Sequence, residues 1–190
     1  MFVIMKKLHL LLISLFLTLT AYTQKITPAI KPGTVINIVV SDHGLVVPIT
    51  VDIKNTGDTL KLGWKESPSN INIKSSYEDR ITRYFTQPHQ EGVASERFQN
   101  DETFISVSRA MYKRFLNNDK KSLTYQGVIY LNAMERDSNF LLQGRSVNAT
   151  YMTTRDEKYK MWVLDNPAFP LILETTNPLL GIGYKLISMN

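Results

Sequence analysis

Residues 49–64 read ITVDIKNTGDTLKLGW, and most of the run alternates between apolar and polar side chains. Every second residue is apolar from Ile49 to Ile53 and again from Leu60 to Trp64. This period of two is typical of a strand with one buried and one solvated face. The residues between the two runs, Asn55-Thr56-Gly57-Asp58, are turn formers. The stretch therefore predicts an antiparallel β-hairpin.

Further segments with strand character lie on both sides of this hairpin. They are Val35–Val40, Asn70–Lys74, Thr103–Val107, Ser122–Leu131, Phe140–Thr153, Lys158–Leu164, Leu171–Thr176 and Gly183–Ser188. Pro48 has no amide proton to donate, so the start of its strand should be an edge or a bulge. We find no internal repeat and no linker rich in Pro, Gly or Ser, which favours one domain.

Two short segments have helical periodicity instead. The apolar positions of the first, which Pro88 ends, are Tyr77, Ile81, Tyr84 and Phe85. Those of the second, which begins at Ser108, are Met111, Tyr112, Phe115 and Leu116. The polar residues 87–100 should form a loop. The fold class we expect is mainly β: a curved antiparallel sheet or half-barrel with one or two short helices packed on it.

The N-terminus has the pattern of a secretory signal peptide. Lys6 and Lys7 precede an uncharged apolar run, Leu8–Thr20, which at 13 residues is shorter than the roughly 20 needed to cross a bilayer. Small residues at Ala21 and Thr23 fit a cleavage site. We therefore expect residues 1–23 to be a signal peptide and residues 24–190 to be one exported β-rich domain, with no transmembrane anchor after cleavage.

Cysteine content and charge narrow the class of protein further. The chain has no cysteine, which excludes a lipoprotein anchor, thiol catalysis, thiolate zinc sites and iron–sulfur clusters. Loss of Lys6 and Lys7 reduces the 22 basic residues to 20, against 17 acidic ones. Such a modest positive charge does not predict nucleic-acid binding. The expected location is periplasmic or extracellular.

Catalytic motifs are missing from the sequence. It contains no P-loop, GxGxxG, HExxH, GxSxG or SxxK pattern. His43 lies in a predicted hairpin turn and His89 in a predicted polar loop, so we expect no catalytic residue, no metal site and no cofactor. Scattered carboxylates leave one alternative, an exported hydrolase that uses a carboxylate pair on glycan or peptide. Its candidates are Glu78, Asp79, Glu96, Asp101, Glu102, Glu135, Asp137, Asp156, Glu157, Asp165 and Glu174.

The chain resembles small exported proteins of the Gram-negative envelope that form a family defined only as a domain of unknown function. The resemblance lies in the order and spacing of Pro32-Gly33-Thr34, the hairpin of residues 49–64, Tyr84-Phe85, residues 166–173 and Gly183-Tyr184-Lys185-Leu186. It implies a strongly curved antiparallel sheet of half-barrel type, and it carries over no catalytic residues.

These observations favour a non-catalytic envelope protein that binds a lipid or other hydrophobic ligand, or an envelope protein partner. A curved sheet with a helix over it can leave an apolar groove. The residues expected to line such a groove are Trp64, Tyr84, Phe85, Met111, Phe115 and Trp162. If the sheet closes tightly, the same residues are core instead. The basic run from Arg109 to Lys121 is either a solvated helix face or a contact for an anionic surface.

Overall fold

Antiparallel strands make up most of the computed structural model. It describes residues 25–42, 45–57, 59–64, 70–74, 83–84, 95–97, 102–103, 105–117, 122–125, 128–133, 139–177 and 182–190. The predicted signal peptide, residues 1–23, lies outside the described residues, as do His43 and His89.

The described elements are one helix and fifteen strands. The strands are β1 (Val35–Asp42), β2 (Leu45–Thr56), β3 (Thr59–Trp64), β4 (Asn70–Lys74), β5 (Arg83–Tyr84), β6 (Ser95–Arg97), β7 (Glu102–Thr103), β8 (Ser122–Tyr125), β9 (Val128–Asn132), β10 (Phe140–Leu142), β11 (Arg145–Val147), β12 (Ala149–Thr153), β13 (Lys160–Leu164), β14 (Ile172–Asn177) and β15 (Ile182–Met189). The helix is α1 (Arg109–Asn117).

Eleven of these strands form one sheet in the order β6-β4-β3-β2-β1-β15-β14-β13-β12-β9-β8. All neighbours in it are antiparallel except β4 and β6, which are parallel. Its first and last strands, β6 and β8, do not pair with each other, so the sheet is open. The prediction of a mainly β fold with an antiparallel sheet and a short helix is confirmed.

The hairpin predicted from residues 49–64 is confirmed as β2 and β3. Val51 pairs with Trp64, and the buried Ile53 pairs with the buried Leu62. Pro48 pairs with Val39 of β1, but the pairing of β2 with β3 begins only at Val51. Within the described residues, β2 is therefore paired on one side only at Pro48. This is the edge position expected of a proline in a strand.

Two segments predicted as single strands are hairpins. Ser122–Leu131 divides into β8 and β9. Phe140–Thr153 divides into the β10–β11 hairpin and β12, which belongs to the large sheet. The break between β10 and β11 falls at Gln143 and Gly144, which both have positive φ, 51° and 76°. Two consecutive residues of this kind make the tight turn whose twist suits a hairpin. The apolar pattern continued across this turn and concealed it.

Three local predictions between residues 77 and 107 are wrong where the structure describes them. Arg83–Tyr84 is a strand paired in parallel with β7, not the end of a helix, while residues 75–82 and 85 lie outside the described residues. Ser95–Arg97 is a strand within the predicted loop. The strand predicted for Thr103–Val107 is broken at Ile105, whose φ is 57°. Pairing with distant strands has overridden local preference at these positions.

The sheet has two faces that are covered differently. We call the first the helix face; it carries Val40, Tyr184, Thr175, Met161 and Met152, which lie side by side across five strands. All but Val40 are buried. The opposite face, which we call the hairpin face, carries the neighbouring row Val39, Lys185, Glu174, Trp162 and Tyr151.

Helix α1 packs against the helix face. Ser108 caps its N-terminus, since the Met111 amide donates to Ser108 Oγ at 3.3 Å. Tyr112 and Phe115 are buried and their rings stack at 5.7 Å. The Tyr112 hydroxyl donates to Asp165 Oδ1 at 2.8 Å and lies 3.3 Å from Thr150 Oγ1, which ties the helix to β12. Leu116, predicted on the same apolar face, is 41% exposed.

Candidate functional site

The N-terminal strap, residues 25–34, runs beside β11. The Ile26 amide donates to the Ser146 carbonyl at 3.0 Å, and the Asn148 amide donates to the Ile26 carbonyl at 2.8 Å. These bonds form a parallel bridge between Ile26 and Val147. The strap ends in a turn at Pro32-Gly33, where the Gly33 φ of 90° suits glycine and the preceding proline supplies the fixed φ of a type II turn. The strap therefore has a defined backbone path.

The β10–β11 hairpin covers the hairpin face of the sheet. Phe140 pairs with Val147 in the hairpin, and both are buried. The Phe140 ring lies 5.7 Å from the Trp162 ring, which in turn lies 4.9 Å from the Tyr151 ring. These aromatic contacts hold the hairpin against β12 and β13. Its tip, Gln143-Gly144, extends away from that contact.

An open groove lies between the strap, the tip of this hairpin and the end of β15. We call it the hairpin groove; its volume is about 450 Å³. Leu142 and Val147 are its buried apolar lining, and Ile26, Pro28 and Met189 are its partly exposed apolar lining. The remaining lining residues, Gln143, Arg145 and Asn190, are exposed and polar. The groove thus joins an apolar floor to a polar rim.

The position of Arg145 follows from the hairpin register. Arg145 pairs with Leu142, and paired residues project from the same face of a two-stranded ribbon. Arg145 therefore projects from the face that buries Leu142, whereas Leu141 and Ser146 project from the other. Within the part of the chain that the structure describes, no ion pair or hydrogen bond of the Arg145 guanidinium is found. It is a cation at the rim of an apolar groove.

Three of the six residues predicted to line a groove pack in or against the hydrophobic core. Phe115 is buried on the helix face against Tyr112, and Met111 is partly buried beside that core. Trp162 belongs to the hairpin face, on the opposite side of the sheet. The sheet thus separates Phe115 from Trp162, and these two side chains serve as packing for α1 and for the β10–β11 hairpin.

The other predicted lining residues lie far from the hairpin groove in the order of the sheet or outside the described part. Trp64 ends β3, and Tyr84 lies in β5, which belongs to a separate two-stranded sheet with β7. Phe85 lies outside the described residues. None of the six predicted residues is among those that line the groove.

Sequence reasoning missed the residues that do line it. Ile26, Arg145 and Met189 come from three distant parts of the chain, so no local motif joins them. One signal was available, since Gln143-Gly144 is a turn dipeptide between two apolar runs. Recognising that turn would have placed Leu142 and Arg145 opposite each other.

Some of the candidate carboxylates lie in the described part of the structure. The candidates outside it are Glu78, Asp79, Asp101, Glu135 and Asp137, and His43 and His89 also lie outside it. Within the described part, no group of three or more His, Asp or Glu side chains could hold a metal ion. Asp52 pairs with Lys54 at 3.0 Å and Glu174 pairs with Lys185 at 3.4 Å. No carboxylate side chain lines the hairpin groove. The hydrolase alternative gains no support from these positions.

A second cavity has room for about one water molecule. Its volume is about 10 Å³, and it lies between α1, the β2–β3 hairpin and the loop before β14. Its lining includes Ser106 and Arg109, and the Arg109 guanidinium donates to the Thr56 carbonyl at 3.4 Å. This cavity is too small for an organic ligand.

Among the described residues, three groups have a clearly shifted pKa. Burial raises the pKa of Tyr130 to about 12 and raises the pKa of Tyr112 further. At the exposed β12–β13 turn, a hydrogen bond from the Thr154 hydroxyl at 2.6 Å lowers the pKa of Asp156, which Lys158 lowers further. None of these three residues lines the hairpin groove. A perturbed acid or base of the kind found in active sites is therefore absent from its lining.

Comparisons with family models, with curated proteins and with solved structures gave no match for this chain. Among the described residues, no helix has the length and apolar character needed to span a membrane.

Proposed function

We propose that this protein is an exported, non-catalytic envelope protein that binds an apolar or amphiphilic ligand in the hairpin groove. The observation that carries the proposal is the groove itself, with its volume of about 450 Å³ and its apolar floor. Sites for small molecules commonly have this size and combine apolar walls with a few polar groups. The signal-like N-terminus supports the exported location.

The lining residues favour binding over catalysis. Apolar side chains of Leu142, Val147, Ile26 and Met189 provide the contact area, and removal of apolar surface from water contributes about 25 cal/mol per Å². The polar lining residues supply no carboxylate, histidine or serine that would act as an acid, base or nucleophile. A hydrophobic chain is therefore the ligand that fits this lining.

Filling the groove tests the proposal. Ile26 is 40% exposed at the groove, and its backbone bonds to β11 do not depend on its side chain. In Ile26→Trp the larger ring should occupy the groove. We expect the neutral fluorescent probe N-phenyl-1-naphthylamine to bind roughly tenfold more weakly or worse, because the probe loses apolar contact equivalent to about one buried side chain.

The matched control is Ile129→Trp. Ile129 is 60% exposed on β9 and is not part of the groove lining, so this variant adds the same ring elsewhere. We expect it to bind the probe as the wild type does. Equal binding by wild type and Ile26→Trp would show that the groove is not the site, and the proposal would then be withdrawn.

A further inference from the structure

One charged side chain lies at the rim of the hairpin groove. Its lining contains one cationic side chain, Arg145, and no anionic side chain. Elsewhere three described acids have cationic partners: Asp52 with Lys54, Asp156 with Lys158 and Glu174 with Lys185. The groove therefore has a cationic side chain at its rim and no acidic side chain in its lining.

We infer that the groove selects an amphiphile with an anionic head group, which Arg145 binds while the hydrocarbon chain lies on Leu142 and Val147. This inference rests on the proposed ligand-binding function and adds the class of ligand. A guanidinium forms paired hydrogen bonds with a carboxylate or a phosphate, and these two groups are its best-matched anions. The neutral amide of Gln143 is a further hydrogen-bond donor at the same rim.

The hairpin geometry favours this arrangement. Because Arg145 and Leu142 are directly opposite, their Cβ atoms are expected to be about 4.5–5.5 Å apart. The guanidinium and the apolar floor therefore belong to one continuous surface. A head group bound at Arg145 leaves its chain to extend over the floor toward Ile26 and Met189. One hairpin thus supplies both halves of an amphiphile site.

The test compares three ligands with the same dodecyl chain: tridecanoate, dodecyl phosphate and dodecanol. Each is titrated below its aggregation concentration against protein loaded with N-phenyl-1-naphthylamine, and the affinity ratio of each anion to the alcohol is recorded. The chain contributes equally to each affinity, so the ratio reports the head group. For the wild type we expect at least one anion to bind roughly fivefold more tightly than the alcohol, as a partly exposed charged hydrogen bond allows.

Arg145→Gln should reduce this ratio to about one. Arg145→Glu should reverse the preference, so that dodecylammonium binds more tightly than dodecanol. The matched control is Arg155→Gln, which removes an exposed arginine from the β12–β13 turn, at the other end of β12 from the hairpin groove. It should keep the wild-type ratio. The anion with the larger affinity ratio shows whether the groove prefers a carboxylate or a phosphate head group.

The outcomes separate the inference from the function on which it rests. If all three ligands displace the probe equally from the wild type, or if Arg145→Gln keeps the preference for anions, the inference is wrong and the binding function stands. If none displaces the probe and Ile26→Trp has no effect, the binding function itself fails. Should Arg145→Gln not fold, retention of the anion preference by Arg145→Glu would overturn the inference alone.

Discussion

Among single residues, the buried phenol of Tyr130 makes the stability of the fold depend on pH. Tyr130 is fully buried on the helix face, and burial disfavours its charged form, which raises its pKa to about 12. The Thr175 hydroxyl near it offsets part of that shift, although neither hydroxyl makes a hydrogen bond of normal geometry within the described residues. The phenol is therefore tolerated in its neutral form only.

The raised pKa of Tyr130 predicts a loss of stability at high pH. The neutral form is favoured in the folded state, so this contribution is complete below pH 10 and is lost as the pH rises from 10 to 12. The two units of pKa correspond to about 3 kcal/mol as an upper value. Denaturant unfolding at pH 7, 10 and 11 measures the loss for the wild type.

Tyr130→Phe is the comparison for that measurement. It removes the titrating hydroxyl, so its unfolding free energy should fall less between pH 10 and 11 than that of the wild type. At pH 7 it should be neutral or stabilising by about 1 kcal/mol, because a buried hydroxyl without a good partner is lost. Identical pH dependence in the two proteins would contradict the assignment.

At the level of elements, β15 is the central strand of the eleven-stranded sheet. It lies between β1 and β14, so both of its edges are paired. Its register with β1 shifts between Asn37 and Ile38, where Leu186 pairs with Ile38 and Ser188 pairs with Asn37. Ile187 is the extra residue of this bulge. A bulge bends a strand and increases its twist, as a large open sheet requires.

Two adjacent residues of β15 should differ sharply in how well they tolerate substitution by a charged residue. Leu186 is 2% exposed and Ile187 is 49% exposed. Leu186→Asp places a carboxylate in the core and should cost about 4 kcal/mol or more of unfolding free energy. Ile187→Asp, its matched control, should cost about 1 kcal/mol or less. Chemical denaturation measures both, and similar losses would contradict the assignment of the two faces.

Across the whole molecule, the first and last described strands along the chain, β1 and β15, are paired in the middle of the sheet. Val35 and Asn190 exchange backbone hydrogen bonds at 3.0 Å. Asn37 links two further strands, since its amide donates to Ser188 Oγ and its oxygen accepts from Thr50 Oγ1, both at 2.8 Å. Closing so long a loop costs conformational entropy, which the contacts between β1 and β15 must offset.

A chain that ends at Asn177 should not fold cooperatively. Without β15, both β1 and β14 lose a central neighbour, and the helix face loses Tyr184 and Leu186. We expect the circular dichroism of the shortened chain to show no cooperative denaturant transition, whereas the full chain shows one. A transition of similar steepness in the shortened chain would indicate that β15 is dispensable and would contradict this view of the fold.

Local sequence was sufficient for the β2–β3 hairpin and for α1. Alternation and a turn cluster predicted the β2–β3 hairpin, and helical spacing after Ser108 predicted α1, because side-chain period and capping are properties of short segments. Most other strands were located to within a few residues. The turn at Gln143-Gly144 was also local, but the continuing apolar pattern concealed it.

The residues that line the candidate site could not be predicted in this way. Residues such as Trp162 and Phe115 are equally apolar whether they pack a core or line a groove. Their separation by the sheet follows from strand register, which a single sequence does not state.

The sequence by itself determined the mainly β class, the principal hairpin, the position of the helix and the absence of thiol chemistry. Only the tertiary structure decided that β15 lies between β1 and β14, and that Ile26, Arg145 and Met189 surround one groove. The physical reason is that an alternating strand specifies which of its faces is apolar but not which strand it will pair with. That choice comes from packing the whole chain, and the groove exists only after it has been made.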